Sequence, residues 1–149
     1  MLDKTTLTTK LNTLIQTNLD GKTGYEEAAQ NVDDPVVTNA FEQYSDMRNR
    51  FARELSDILE NMGGTPPTGG TILGAVHRGW INLKSIFTES GEQAMLEECV
   101  RGEDMAITDY EETLRLELPD DVRMIIENQL KEIRAVKDHI ESMLKVVEQ

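Results

Sequence analysis

The stretch Gly-Gly-Thr-Pro-Pro-Thr-Gly-Gly at residues 63–70 is the longest loop-like segment of the chain and separates two long stretches of helical sequence. Glycine followed by proline is typical of a helix end, because glycine adopts the left-handed cap conformation and proline cannot continue the helix. Two shorter breaks, Asp33-Asp34-Pro35 and Leu118-Pro119-Asp120, combine acidic residues with a proline suited to a helix start. The three breaks predict one helical hairpin before the glycine-rich stretch and a second hairpin after it.

The apolar residues between these breaks recur at alternating three- and four-residue steps, the period of a helix with one buried face. Ser90 and Gln93 form a capping-box pattern that starts one of the later helices. No segment shows the alternation of a strand bounded by turns, so we predict a single all-α domain over residues 1–149. The predicted helices cover about 5–32, 35–62, 71–88, 91–117 and 120–147.

The connection between the two hairpins determines the predicted topology. Each hairpin turns tightly, so residues 63–90 must carry the chain from the end of the first hairpin to the start of the second. A four-helix bundle with one long crossover between its second and third helices has the connectivity of the ferritin-like folds. We therefore predict a ferritin-like four-helix bundle with an additional crossover helix at 71–88.

The composition excludes several classes of function. The 149 residues include 15 basic and 28 acidic side chains, and the formal net charge is −13. Such a surface repels nucleic acid and anionic membranes, because both require clustered lysine and arginine. No apolar run approaches the roughly 18 residues of a membrane span, the first residues do not resemble a signal peptide, and one cysteine cannot form an intrachain disulfide. We expect a cytoplasmic protein with no nucleic-acid or membrane partner.

Four positions on the predicted core faces carry polar side chains near the middle of the four long helices. We call this set the central polar layer, and its members are Asn18, Arg48, Glu103 and Gln129. Folding each hairpin about its turn brings Asn18 close to Arg48 and leaves Gln129 about one turn from the level of Glu103. Di-iron carboxylate proteins of ferritin-like fold bind their metals at this level of the bundle.

The residues needed for a di-iron centre are mostly missing. Such a centre takes one Glu from each of two helices and a Glu-x-x-His pair from each of the other two. The residue three positions before His139 is Val136, and an arginine at position 48 would repel a divalent cation and neutralise Glu103 instead. The layer is therefore interpreted as a buried Arg48–Glu103 ion pair that holds the helix register. The alternative is a weaker metal site, for which the candidate ligands are Glu103, Asp20, Asp46, Glu132 and His139.

The crossover helix, the tyrosines and a few apolar residues suggest further, less specific hypotheses. The crossover helix is locally basic at His77 and Arg78, which favours either an anion site or docking on the acidic bundle with Trp80 packed beneath. The three tyrosines fall on core faces, where a tyrosine usually packs with its hydroxyl hydrogen-bonded. Four apolar residues lie slightly off the main stripes and either form a homodimer seam or widen the core face. They are Ile15, Leu19, Met124 and Ile125.

The chain also resembles a mostly proteobacterial family of four-helix-bundle proteins of unknown function, placed in the ferritin-like superfamily. The resemblance spans nearly the whole chain and is most specific in two stretches, His77-Arg78-Gly79-Trp80 and Arg101-Gly102-Glu103-Asp104. It implies the ferritin-like fold and implies no activity. It directs attention to His77, Arg78, Trp80, Glu103 and Asp104.

Three functions remain open at this point. The first is a non-catalytic ferritin-like bundle with a degenerate metal site and no cofactor. Its role would be structural or in interactions, for example in a stress response, as a homodimer or with an unidentified protein partner. The second is a di-metal carboxylate protein with oxidase, peroxide-handling or iron-binding activity, using iron or another divalent metal. The third is an anion or small-ligand binder at the crossover helix. The missing Glu-x-x-His pairs favour the first function, and with it a protein that is not an enzyme.

Overall fold

The computed structural model of the chain describes residues 3–66 and 83–148. Within these ranges there are four helices and no strand: α1 (Lys4–Asn31), α2 (Pro35–Asn61), α3 (Leu83–Leu114) and α4 (Asp120–Glu148). The prediction of an all-α four-helix bundle is confirmed. Residues 71–82 of the predicted crossover helix lie outside the described residues, and residues 83–88 form the beginning of α3.

The helix ends follow the capping signals of the sequence. At the start of α1 the Asp3 carboxylate accepts a hydrogen bond from Thr5 N, and at the start of α2 the Asp34 carboxylate accepts one from Val36 N at 2.9 Å. Beyond the end of α2, Gly63 has a φ of +86°. The amide of Gly63 donates to Glu60 O and that of Gly64 to Leu59 O, both at 2.9 Å. This pair of bonds is a Schellman motif, which requires a left-handed residue and therefore favours glycine.

Helix α3 consists of two helical pieces that meet at a kink, because one residue inside it, Gly91, has non-helical geometry with φ 88° and ψ −176°. The sequence predicts that one helix ends near residue 88 and the next begins near residue 91, and the kink lies at this place. This region of φ is open to glycine and disfavoured for residues with a Cβ atom. The kink lies one residue after Ser90, where the capping-box pattern predicts the start of a helix.

The two hairpins pack so that α1 contacts α2 and α3, while α4 contacts α3 and α2. Buried apolar residues form two clusters. One contains Leu11, Leu55 and Ile126, and the other contains Tyr25 and Phe41. Along α1, α2 and α3 the central polar layer falls between the residues of the two clusters, so a polar level separates two apolar parts of the core. No helix in the described ranges is long and apolar enough to cross a membrane.

The first cluster should contribute a large share of the stability. Leu14 is fully buried in it, so we expect Leu14→Ala to lower the free energy of unfolding by about 2–5 kcal/mol through lost apolar contact and a residual cavity. Val36 is 76 % exposed, and Val36→Ala should change the free energy by less than about 0.5 kcal/mol. Denaturant unfolding followed by circular dichroism measures both. Similar values for the two variants would contradict the assignment of this core.

Candidate functional site

A buried ion pair lies at the centre of the bundle. Arg48 of α2 and Glu103 of α3 are both fully buried, and Nη1 of Arg48 donates to Oε1 of Glu103. A charged side chain in an apolar interior is strongly unfavourable unless an opposite charge and hydrogen bonds compensate it. The pair brings together the two oppositely charged residues of the central polar layer.

The other two nitrogens of the Arg48 guanidinium each donate a hydrogen bond to α1. Nε donates to Oδ1 of Asn18 at 2.7 Å, and Nη2 donates to the backbone carbonyl of Thr17 at 3.3 Å. Each of the three guanidinium nitrogens therefore has an acceptor, two on α1 and one on α3. This arrangement ties three helices to one side chain.

Glu103 is held from its other side by a tyrosine. The hydroxyl of Tyr25, which is fully buried on α1, donates to Oε2 of Glu103. Burial, followed by the nearby charge of Glu103, raises the pKa of Tyr25 well above its usual value. Tyr25 thus stays protonated and acts as a donor, and both carboxylate oxygens of Glu103 accept a hydrogen bond.

A second branch of hydrogen bonds runs from the ion pair to α4. Nδ2 of Asn18 donates to the Tyr110 hydroxyl at 2.8 Å, and that hydroxyl donates to Oε1 of Gln129 at 2.6 Å. Nε2 of Gln129 donates in turn to Oε1 of Glu54 at 2.8 Å, and Glu54 is exposed on α2. The four residues of the layer therefore belong to one network that joins all four helices and reaches the surface at Glu54.

The electrostatics of the network keep its arginine charged. Burial by itself lowers the pKa of Arg48, but the Glu103 carboxylate, and more weakly Tyr25 and Tyr110, raise it, and the balance lies above the usual value. Burial is also the main reason why the pKa of Tyr110 is raised. At neutral pH Arg48 is thus charged, and the hydroxyls of Tyr25 and Tyr110 are protonated.

The other metal-ligand candidates have different surroundings from those of Glu103. Asp20 accepts a hydrogen bond from the Gln16 amide at 3.0 Å, and Asp46 lines an open groove between α1 and α2. Glu132 accepts two bonds from Arg50, at 3.0 and 3.3 Å, and Nδ1 of His139 is hydrogen-bonded to the Tyr44 hydroxyl. Across residues 3–66 and 83–148, no three His, Cys, Asp or Glu side chains are grouped closely enough to hold a metal ion.

The central polar layer does not fit a di-metal centre. Its single carboxylate has both oxygens engaged, by Arg48 and by Tyr25. A di-iron site of ferritin-like type needs several carboxylates that bridge or chelate two cations. The position that a cation would occupy beside Glu103 is taken by the Arg48 guanidinium.

The two tyrosines of the network were predicted only as core residues with hydrogen-bonded hydroxyls, and their partners were not identified. A signal exists in the spacing, because Tyr25 follows Asn18 by seven residues and Tyr110 follows Glu103 by seven. Seven residues are two helical turns, so each tyrosine lies on the same face as its layer residue.

The remaining residues that the family resemblance singled out lie partly inside and partly outside the described residues. Asp104, which the family resemblance singled out, pairs with Lys137 of α4 at 2.6 Å. Three further residues of that resemblance, His77, Arg78 and Trp80, lie outside the described residues.

Comparisons with known proteins agree with the architecture. A family model described as a domain of unknown function, DUF2383, matches residues 6–116. The bacterioferritin-related protein of Bacteroides fragilis, described as a dodecameric thioferritin, aligns with a TM-score of 0.77 and 18 % identity over 99 % of this chain and 89 % of that chain. A mutant of Dps1 from Mycobacterium smegmatis aligns with a TM-score of 0.73 and 14 % identity over 97 % and 99 % of the two chains. No curated protein matches the sequence. At these identities the solved structures show the fold alone, and the predicted ferritin-like bundle is confirmed.

The Arg48–Glu103 ion pair should be far more strongly coupled than a surface pair that links α2 to α4. We expect Arg48→Met and Glu103→Gln each to cost about 3–5 kcal/mol of unfolding free energy, because each leaves a buried partner uncompensated, and the double variant to cost less than their sum. Arg50 and Glu132, whose side chains are each about half exposed, provide the matched control. Arg50→Met and Glu132→Gln should each cost at most about 1 kcal/mol. Denaturant unfolding of both cycles checks this, and equal coupling in the two pairs would contradict it.

The tyrosines should resist ionisation while the protein is folded. Burial, and next the charge of Glu103, raises the pKa of Tyr44 to about 12, and the pKa values of Tyr25 and Tyr110 are also raised. An unfolded chain releases these protons near pH 10. The unfolded state therefore binds fewer protons than the folded state between about pH 10 and 12. The contribution of the tyrosines to the free energy of unfolding is fully present below pH 10 and falls as the pH rises through this range.

Tyrosinate absorbance, recorded together with circular dichroism, tests this expectation. The absorbance of the native protein should stay low through pH 10 and rise together with the loss of helix, whereas protein in denaturant should titrate near pH 10. A native titration near pH 10 with the helices intact would contradict the burial of the three phenols.

Proposed function

The chain belongs to the DUF2383 family, and we propose that it is a non-catalytic ferritin-like bundle with a structural or interaction role. One observation supports the proposal above the others. Glu103, the only carboxylate of the central polar layer, is already neutralised by Arg48 and hydrogen-bonded by Tyr25. According to this proposal, the protein folds and acts without a metal cofactor.

The physical argument concerns charge at the centre of the bundle. The ion pair is neutral as a whole, so it offers no net negative potential to a divalent cation. A metal bound to Glu103 would lie beside a guanidinium in a medium of low dielectric, where like charges repel strongly. Binding would also remove the carboxylate from Arg48 and leave that arginine buried without its counter-charge. Metal binding at this layer would therefore lower the stability of the folded chain.

The proposed interaction role includes a homodimer. Ile15 is fully buried in the first apolar cluster, where it widens the core face. Met124 of α4 is 64 % exposed and the neighbouring Ile125 is partly buried. We propose that Met124 and Ile125, from the predicted seam, contact the second copy of the chain in the homodimer. The alternative partner is an unidentified protein.

Elemental analysis of untagged protein purified without chelator, followed by anaerobic titration with ferrous iron, tests the proposal. We expect clearly less than one metal per chain, no oxygen uptake on exposure to air, and a thermal midpoint that does not change when a chelator is added. Glu103→Ala should leave the metal content unchanged, as should the surface control Glu132→Ala.

The opposite result supports the di-metal alternative. Stoichiometric iron with oxygen uptake, both lost in Glu103→Ala and retained in Glu132→Ala, would show that Glu103 exchanges Arg48 for metal. The proposal of a non-catalytic bundle would then be wrong.

A further inference from the structure

The environment of the Arg48 guanidinium has the features of a binding site for a planar cation. Its three nitrogens meet three separate acceptors: Oδ1 of Asn18 at 2.7 Å, the carbonyl of Thr17 at 3.3 Å and Oε1 of Glu103. Two of these acceptors are uncharged and one is a carboxylate, so the site supplies one negative charge for one positive charge. All three belong to α1 and α3, whereas the arginine comes from α2.

Gly21 makes room for the face of the guanidinium. A Cβ atom at position 21 would lie 2.9 Å from Cζ of Arg48, 3.0 Å from Nη2 and 3.2 Å from Nε. Because the central carbon is the nearest of the three atoms, this Cβ would approach the flat face of the group and not its edge. The missing side chain therefore leaves a slot against α1 that a planar group fills. Glycine within a helix costs about 1 kcal/mol relative to alanine, and this contact gives a reason for it.

The shape of the site discriminates among cations. A guanidinium presents its donors in a rigid plane, whereas an ammonium is a compact, strongly hydrated charge. A metal ion would require several oxygen ligands at about 2 Å, but the three acceptors surround the edge of a plane several ångströms wide. Tyr25 further limits the choice, because it donates to the second oxygen of Glu103 and keeps that oxygen from a metal.

We propose that α1 and α3 form a binding site for guanidinium-type cations, built from Thr17, Asn18, Gly21 and Glu103, which Arg48 of α2 fills from within the chain. The site rests on the same ion pair as the proposed function, and it names the ligand that the layer accepts in place of a metal. Since no wall of the site belongs to Arg48, the site survives when that side chain is shortened.

Chemical rescue of Arg48→Ala tests the proposal. N-ethylguanidinium contains the atoms that this substitution removes, and at low millimolar concentration it should raise the thermal midpoint of the variant. The rise should be about 3–5 °C when the cation reaches roughly ten times its Kd, and it should grow logarithmically at higher concentration. Guanidinium itself should act more weakly. Ethylammonium, which has the charge without the plane, and ethylurea, which has the plane without the charge, should have no effect.

Control proteins separate the site from general solvent effects. Wild type, in which Arg48 fills the site, should show no rise with N-ethylguanidinium, and neither should Arg50→Ala, which removes an exposed arginine from the same helix. Adding Glu103→Gln to Arg48→Ala should abolish the rescue. A folded Arg48→Ala that responds equally to ethylammonium, or does not respond to N-ethylguanidinium, would overturn the proposal.

A second measurement applies if Arg48→Ala does not fold by itself. The milder Arg48→Met keeps an unbranched apolar side chain without the guanidinium, and Gly21→Ala is then made in wild type and in Arg48→Met. The glycine substitution should destabilise wild type, because its Cβ collides with the guanidinium, and should be neutral or stabilising in Arg48→Met. Equal destabilisation in both backgrounds would overturn the proposal.

These results are distinguishable from a failure of the proposed function. Iron binding by wild type would refute the non-catalytic bundle whatever the variants do. Absence of rescue with a metal-free wild type would refute only the guanidinium site. A shortened Arg48 variant that binds divalent metal in preference to N-ethylguanidinium would likewise refute the site and leave the function of wild type unchanged.

Discussion

The constraint on which the rest of this bundle depends is the burial of one positive charge at its centre. Arg48 is the largest fully buried side chain in the described part of the chain, and its charge is stable there only because Glu103 and two acceptors on α1 surround it. Those partners come from different helices, so the charge is compensated only when the helices have one particular register. An apolar core alone would tolerate small axial shifts that this network does not.

We expect the network to contribute more to a unique helix register than to net stability. An intact buried ion pair adds little over a well-packed apolar replacement, whereas half of a pair is strongly destabilising. The same reasoning applies to the surrounding residues. Gly21 is unfavourable as a helix residue yet allows the guanidinium to lie against α1, and Tyr25 satisfies the carboxylate oxygen that Arg48 does not reach. The position of each of these two residues is explained by the buried charge of Arg48.

The comparison with ferritin-like proteins illustrates how little a fold says about its centre. This chain shares its architecture with a thioferritin and a Dps protein at under 20 % identity, and similar folds host unrelated functions. In di-iron bundles the central level holds cations that the protein must acquire. In this chain the cation at that level is a side chain, so the electrostatic requirement of the centre is met when the polypeptide folds.

The sequence by itself determined the four helices and the identity of the polar residues in their cores. Helix ends depend on local signals such as Asp34-Pro35 and Gly63, and the burial of a residue such as Arg48 follows from a period of 3.6 within one segment. Only the tertiary structure decided which atoms meet. The contact of Gly21 with the guanidinium, the bond from Tyr25 to Glu103 and the bond between His139 and Tyr44 depend on how the helices are rotated and aligned relative to one another. Those quantities belong to pairs of helices, and no pattern within a single helix contains them.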